Sequence, residues 1–155
     1  MSTKTAPLFT IGYEKATAQA VLGEIADAKV DLLVDVRAVA ASRRPGFSKR
    51  QLAAGLDEHG VGYLHLRGLD TPKEGRLAAR ANHMDDLFRI YSEHLKTPQA
   101  REEMDELATI VKAGHRVCLL CYERDVHHCH RQWIAEEIAE RTGVPIENLV
   151  TLPGG

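Results

Sequence analysis

A chain of 155 residues and 17.2 kDa holds one domain and has no room for two full-sized ones. Its 20 Lys+Arg against 22 Asp+Glu exclude a globally basic nucleic-acid binder and leave only a local basic patch open. No apolar run is long enough to span a membrane, the N-terminal MSTKTAPLFT carries no apolar signal core, and the three cysteines have no framework spacing, so a reducing, cytoplasmic setting is expected.

Apolar runs alternate with helical patterns along the whole chain. This βαβα order predicts a single α/β domain over residues 1–155, a three-layer, Rossmann-like sandwich around a mostly parallel sheet of about five strands. The first strand is Leu8–Ile11, closed by Gly12. Thr17 is placed to cap a helix with Val21, Leu22, Ile25 and Ala28 on one stripe. Leu32–Arg37 is nearly continuous in apolar residues, as a strand buried on both faces requires. Ser48 and Gln51 fit a capping box, and Phe47 with Leu52 fits a hydrophobic staple, so a helix starts at Ser48 and stops near Gly60.

The third strand is Gly62–Leu66, and Thr71–Glu74 reads as a second capping box. Met84, Leu87, Phe88, Tyr91 and Leu95 recur at helical spacing, and Thr97-Pro98 restarts a helix bearing Met104, Leu107, Ile110 and Val111. Arg116–Tyr122 is the fourth strand. Asp125 caps a last helix with Ile134, Ala135, Ile138 and Ala139 inward and Gly143 at its end, and Leu149–Leu152 closes the sheet. The total is five strands and about six helices. The single tryptophan, Trp133, reads as helix packing.

Ligands of an open parallel sheet bind beyond the carboxyl ends of its strands. There the order of elements gathers Gly12 and Tyr13, then Asp35 and Arg37, then Arg43 and Arg44, then His65, Arg67 and Lys73, and last Cys121, Glu123, Cys129, His130 and Arg131. Cys118 and Cys121 form a C-x-x-C spacing, but residues three apart on a strand point to opposite faces, so they form neither a redox pair nor half a zinc site. Cys118 is a small core residue.

Cys121 stands at a strand end before a loop and a helix N-terminus, where backbone N–H groups favour an anion and lower a thiol pKa. The segment from Cys121 to Arg131 therefore has the parts of a thiolate or oxyanion site, or equally those of a buried cysteine with a capping loop. Arg131 and His130 precede Ile134 and Ala135 by about one turn and point inward. An inward Arg131 takes a carboxylate or a phosphate, with Asp35 or Glu123 as its structural partners.

Glu123, His127, His128, Cys129 and His130 also suggest a zinc or iron site. Adjacent His127 and His128 diverge on a helix, which reduces the ligand set to Cys121, Cys129 and His130. From Val36 to Leu56 no residue is acidic, and Arg37, Arg43, Arg44, Lys49 and Arg50 crowd a helix N-terminus, which is unfavourable unless an anion binds. The ordinary reading of that run is a solvated loop. Asp35 and Arg37 share a strand face and either pair locally or make Asp35 a buried acid–base group.

These blocks resemble the DUF488 family: Thr10-Ile11-Gly12-Tyr13, Val34-Asp35-Val36-Arg37, Ser42-Arg43 with Pro45–Lys49, Tyr63–Leu66, Thr71–Glu74, Cys121–Asp125 and Cys129-His130-Arg131. They follow in order from about Thr10 to Leu152. Val126 stands where the family often has proline, and Gly68-Leu69-Asp70-Thr71 departs from its usual glycine pattern. The resemblance implies an α/β fold and a site built from these blocks, without an activity.

The residues themselves favour binding or processing of a phosphate-bearing small molecule or nucleotide at the carboxyl edge. Arg37, Arg43 and Arg131, with Tyr13 and Lys73, hold the ligand in this reading. Cys121 is the thiol, and Asp35, Glu123 and His130 are the acid–base candidates. The alternatives are a metal site and a non-catalytic module that binds nucleic acid or protein through the Arg43–Arg50 stretch.

Overall fold

The computed structural model describes residues 6–37, 46–69, 83–121 and 131–151, with 72, 75, 77, 78 and 81 between them. Five strands form one sheet: β1 (Leu8–Gly12), β2 (Leu32–Asp35), β3 (Gly62–His65), β4 (Val117–Cys121) and β5 (Ile146–Leu149). The spatial order is β3-β2-β4-β1-β5 and every neighbouring pair is parallel. Five α-helices connect them among the described residues: α1 (Ala18–Asp27), α2 (Lys49–Glu58), α3 (Met84–His94), α4 (Pro98–Lys112) and α5 (Arg131–Thr142). A short 3-10 turn covers Arg67–Leu69.

Local sequence explains the boundaries. Thr17 caps α1 by accepting from Ala20 N at 3.1 Å, and Thr97 caps α4 through Ala100 N with Pro98 in the first turn. The expected capping box at Ser48 takes another form. Gln51 Oε1 accepts from both Ser48 Oγ and Gly46 N, and the Ser48 side chain makes no cap bond. Gly143 ends α5 at φ 79°, a conformation that favours glycine.

The central strands β1 and β4 are buried at every position, as the apolar runs required. One face of the sheet packs Phe9, Ile11, Leu33, Cys118 and Leu120 against Val21 and Ile25 of α1 and Leu52 and Leu56 of α2. The other packs Leu8, Val34, Leu119 and Cys121 against α4, α5 and Tyr91 of α3. The result is a three-layer α/β sandwich. Among the described residues no helix is long and apolar enough to cross a membrane.

The last strand lies at Ile146–Leu149 rather than at Leu149–Leu152. Glu147 and Asn148 break the apolar run that the sequence reading sought. They are tolerated because β5 is an edge strand, where Glu147 is exposed and Asn148 Oδ1 accepts from Thr10 Oγ1 at 2.5 Å. The second capping box, at Thr71–Glu74, lies outside the described residues apart from Pro72.

The topology fixes where a crevice opens. Neighbouring β2 and β4 leave the sheet in opposite directions, β2 toward α2 on one face and β4 toward α5 on the other. Their carboxyl ends, Asp35 and Cys121, therefore flank the switch point of the sheet.

Candidate functional site

Asp35 ends β2 with no exposed surface, and Arg37 follows two residues later at 6 % exposure. A buried charge requires a partner, and each is the partner of the other. Arg37 Nη2 lies 2.7 Å from Asp35 Oδ2, Nε lies 2.9 Å from Oδ1, and the Arg37 backbone N–H also donates to Oδ1 at 3.0 Å. Arg37 Nη1 donates to Tyr13 Oη at 3.1 Å and to the Phe47 carbonyl at 2.8 Å. Four of the five guanidinium N–H groups are thereby engaged inside the protein. Burial alone lowers the pKa of Arg37, but its hydrogen bonds and attraction to Asp35, then to Tyr13, raise it overall.

Two tyrosines complete this cluster. Tyr63, on neighbouring β3, donates its hydroxyl to Asp35 Oδ2 at 2.5 Å. Burial and the Asp35 carboxylate raise the Tyr63 pKa well above its ordinary 10.0. Tyr13 stacks on Phe47 with ring centroids 4.4 Å apart. His65 Nε2 contacts the Arg37 carbonyl. Gly46 makes the approach of Phe47 possible: its φ is +87°, and a Cβ there would collide with the Cβ of Ala18.

Cys121 ends β4 on the opposite face. It belongs to the core facing α4 and α5, whereas Cys118 belongs to the core facing α1 and α2. The C-x-x-C spacing thus splits across the sheet, as strand geometry demands. Arg131, the first residue of α5, is 1 % exposed and donates from Nη1 to Cys121 Sγ at 3.0 Å. The inward direction expected for Arg131 is observed, but this contact is to sulfur rather than to Asp35.

Cys121 is disulfide-bonded. Neighbouring Cys118 is free, and burial pushes its thiol well above the ordinary value against a smaller opposing effect of the Arg131 charge.

The residues collected from the sequence therefore fall into two groups at one sheet edge. Tyr13, Asp35 and Arg37 form one hydrogen-bonded network on the α1–α2 face. Cys121 and Arg131 meet on the α4–α5 face. Arg37 and Arg131 do not close on one anion, and the Asp35 carboxylate is enclosed by Arg37 and Tyr63. Phe47 and Tyr63, credited only with packing and strand formation in the sequence, are members of the first group. The register that pairs Leu33 with Tyr63 and Asp35 with His65 is the missing signal.

Arg43, Lys73, Glu123, Cys129 and His130 lie outside the described residues. Of the metal set only Cys121 is described, and a disulfide sulfur is not a thiolate ligand. Among the described residues no group of three His, Cys, Asp or Glu side chains converges on a metal position.

The model of a domain of unknown function, DUF488, matches residues 17–138. The match runs from the cap of α1 into α5 and takes in both the Asp35–Arg37 and the Cys121–Arg131 pairs. No curated protein and no solved structure matches the chain. With most of its length matched, from α1 through the inner strands to α5, the chain belongs to the DUF488 family.

Proposed function

We propose that the protein binds and processes a phosphate-bearing small molecule or nucleotide at the carboxyl edge of its sheet, with Cys121 as the reactive sulfur and Arg131 as the cation beside it. One contact carries this reading: a guanidinium that is 1 % exposed places Nη1 3.0 Å from Sγ at the end of a central strand. Arginine keeps its charge at all working pH values. Beside a sulfur it favours thiolate over thiol, and the same charge favours a phosphate oxygen. The order of β2 and β4 makes their carboxyl ends the switch point, where an open α/β sheet takes its ligand.

The disulfide at Cys121 closes the sulfur until a dithiol reductant supplies two electrons and leaves as a cyclic disulfide. The reading is tested on reduced protein by thermal unfolding and by the rate of Cys121 alkylation, with and without inorganic phosphate and nucleoside mono- and diphosphates. The expected result is a raised Tm together with slower alkylation of Cys121. No change in either with any of these ligands overturns it.

A further inference from the structure

Away from the sheet edge, α3 and α5 line an open surface cleft of about 250 Å³. Its wall is aromatic. Trp133 stacks on Tyr91 at 5.2 Å between ring centroids and meets Phe88 edge-on at 5.5 Å. Phe88 remains 58 % exposed, so its ring presents apolar surface to the cleft. Its rim is acidic: Glu136, Glu137 and Glu140 of α5 all line it.

These carboxylates are not equivalent. Glu137 is neutralised by Arg141 at 2.6 Å and Arg101 at 3.2 Å. Glu136 accepts only a neutral amide hydrogen bond from Gln132 at 3.0 Å. Glu140 is exposed and makes no ion pair among the described residues. The cleft therefore combines aromatic surface with two carboxylates that make no ion pair among the described residues. Aromatic faces attract cations through the ring quadrupole, and carboxylates add Coulomb attraction, so both features select the same ligand charge.

We propose that the cleft between α3 and α5 is a binding site for an organic ammonium cation. The alkyl groups pack on Phe88 and Trp133, and the positive head faces Glu136 and Glu140. A neutral apolar ligand would gain the aromatic contact alone. An inorganic cation would gain the carboxylates alone. A free small amine and a lysine side chain on a partner protein carry the same chemistry. The site is independent of the Cys121–Arg131 reading.

Trp133 is the only tryptophan in the chain, so its fluorescence reports directly on the cleft. Choline and a tetralysine peptide are titrated separately into the full chain. Sodium chloride at equal ionic strength and 3,3-dimethylbutan-1-ol, the neutral carbon analogue of choline, serve as controls. The expected result is a saturable change with choline or with the peptide, about tenfold or more weaker for the neutral analogue. E140Q weakens binding severalfold, and F88A, at an exposed position, weakens it further. Saturation by choline assigns a small amine, and saturation by the peptide alone assigns a protein lysine. A response that matches sodium chloride, or equal binding of the neutral analogue, overturns the proposal.

Discussion

Asp35 and Cys121 end adjacent parallel strands, yet their side chains lie on opposite faces of the sheet. The register pairs Asp35 with Leu120, so Cys121, one residue on, turns away from it. The edge of the sheet thus carries two separate assemblies. Asp35, Arg37, Tyr13 and Tyr63 form one hydrogen-bonded network, and Cys121 with Arg131 forms a sulfur–cation pair.

Breaking the hydrogen-bonded network leaves a buried charge without its partner. Asp35→Asn and Arg37→Met are each expected to destabilise the fold by about 3–5 kcal/mol in urea unfolding. The double substitution Asp35→Asn with Arg37→Met is expected to cost less than the sum of the two. Additive losses would show that the pair is not coupled.

The raised pKa of Tyr63 sets the sign of an alkaline effect. Its phenol releases its proton more readily in the unfolded chain, near the ordinary 10.0, than in the fold. The stabilising contribution is complete below that pH and is lost as pH rises through and above it. Stability measured from pH 9 to 11 should fall in the wild type and fall less steeply in Tyr63→Phe. Parallel curves for the two proteins would contradict this assignment.

Gly46 is required twice, by its φ of +87° and by its contact with Ala18. Gly46→Ala is expected to cost more than about 1 kcal/mol. Adding Ala18→Gly relieves the collision but not the backbone strain, so recovery should be partial. Wild-type stability in the single variant would disprove the close approach of Phe47 to the network.

Much of the architecture was legible because buried parallel strands are written as apolar runs and α/β order follows from their alternation. Leu32–Asp35 and Val117–Cys121 were readable on that basis. The edge strand was misplaced because Ile146–Leu149 is half polar, and its pairing with β1 is visible only in three dimensions. The site was legible as an inventory but not as an arrangement. Sequence order brought Arg37 and Arg131 to one edge. Only the register revealed that Arg37 is consumed by Asp35, Tyr13 and the Phe47 carbonyl, and that Arg131 serves Cys121. Phe47 reads in the sequence only as half of a staple, because its role in the network runs partly through a backbone oxygen, which no residue type announces.

The pairing of Cys121 with Arg131 is tested most directly by the pH dependence of Cys121 alkylation in reduced protein, resolved by peptide mass spectrometry. Cys118 is buried as Cys121 is, but burial pushes its thiol well above the ordinary value, so it should stay unlabelled and serves as the internal control for an intact fold. With a guanidinium 3.0 Å from Sγ, Cys121 is expected to alkylate at lower pH than in Arg131→Gln, with Arg131→Lys close to the wild type. An alkylation profile that does not shift in Arg131→Gln, with Cys118 still protected, would contradict the role given to this pair.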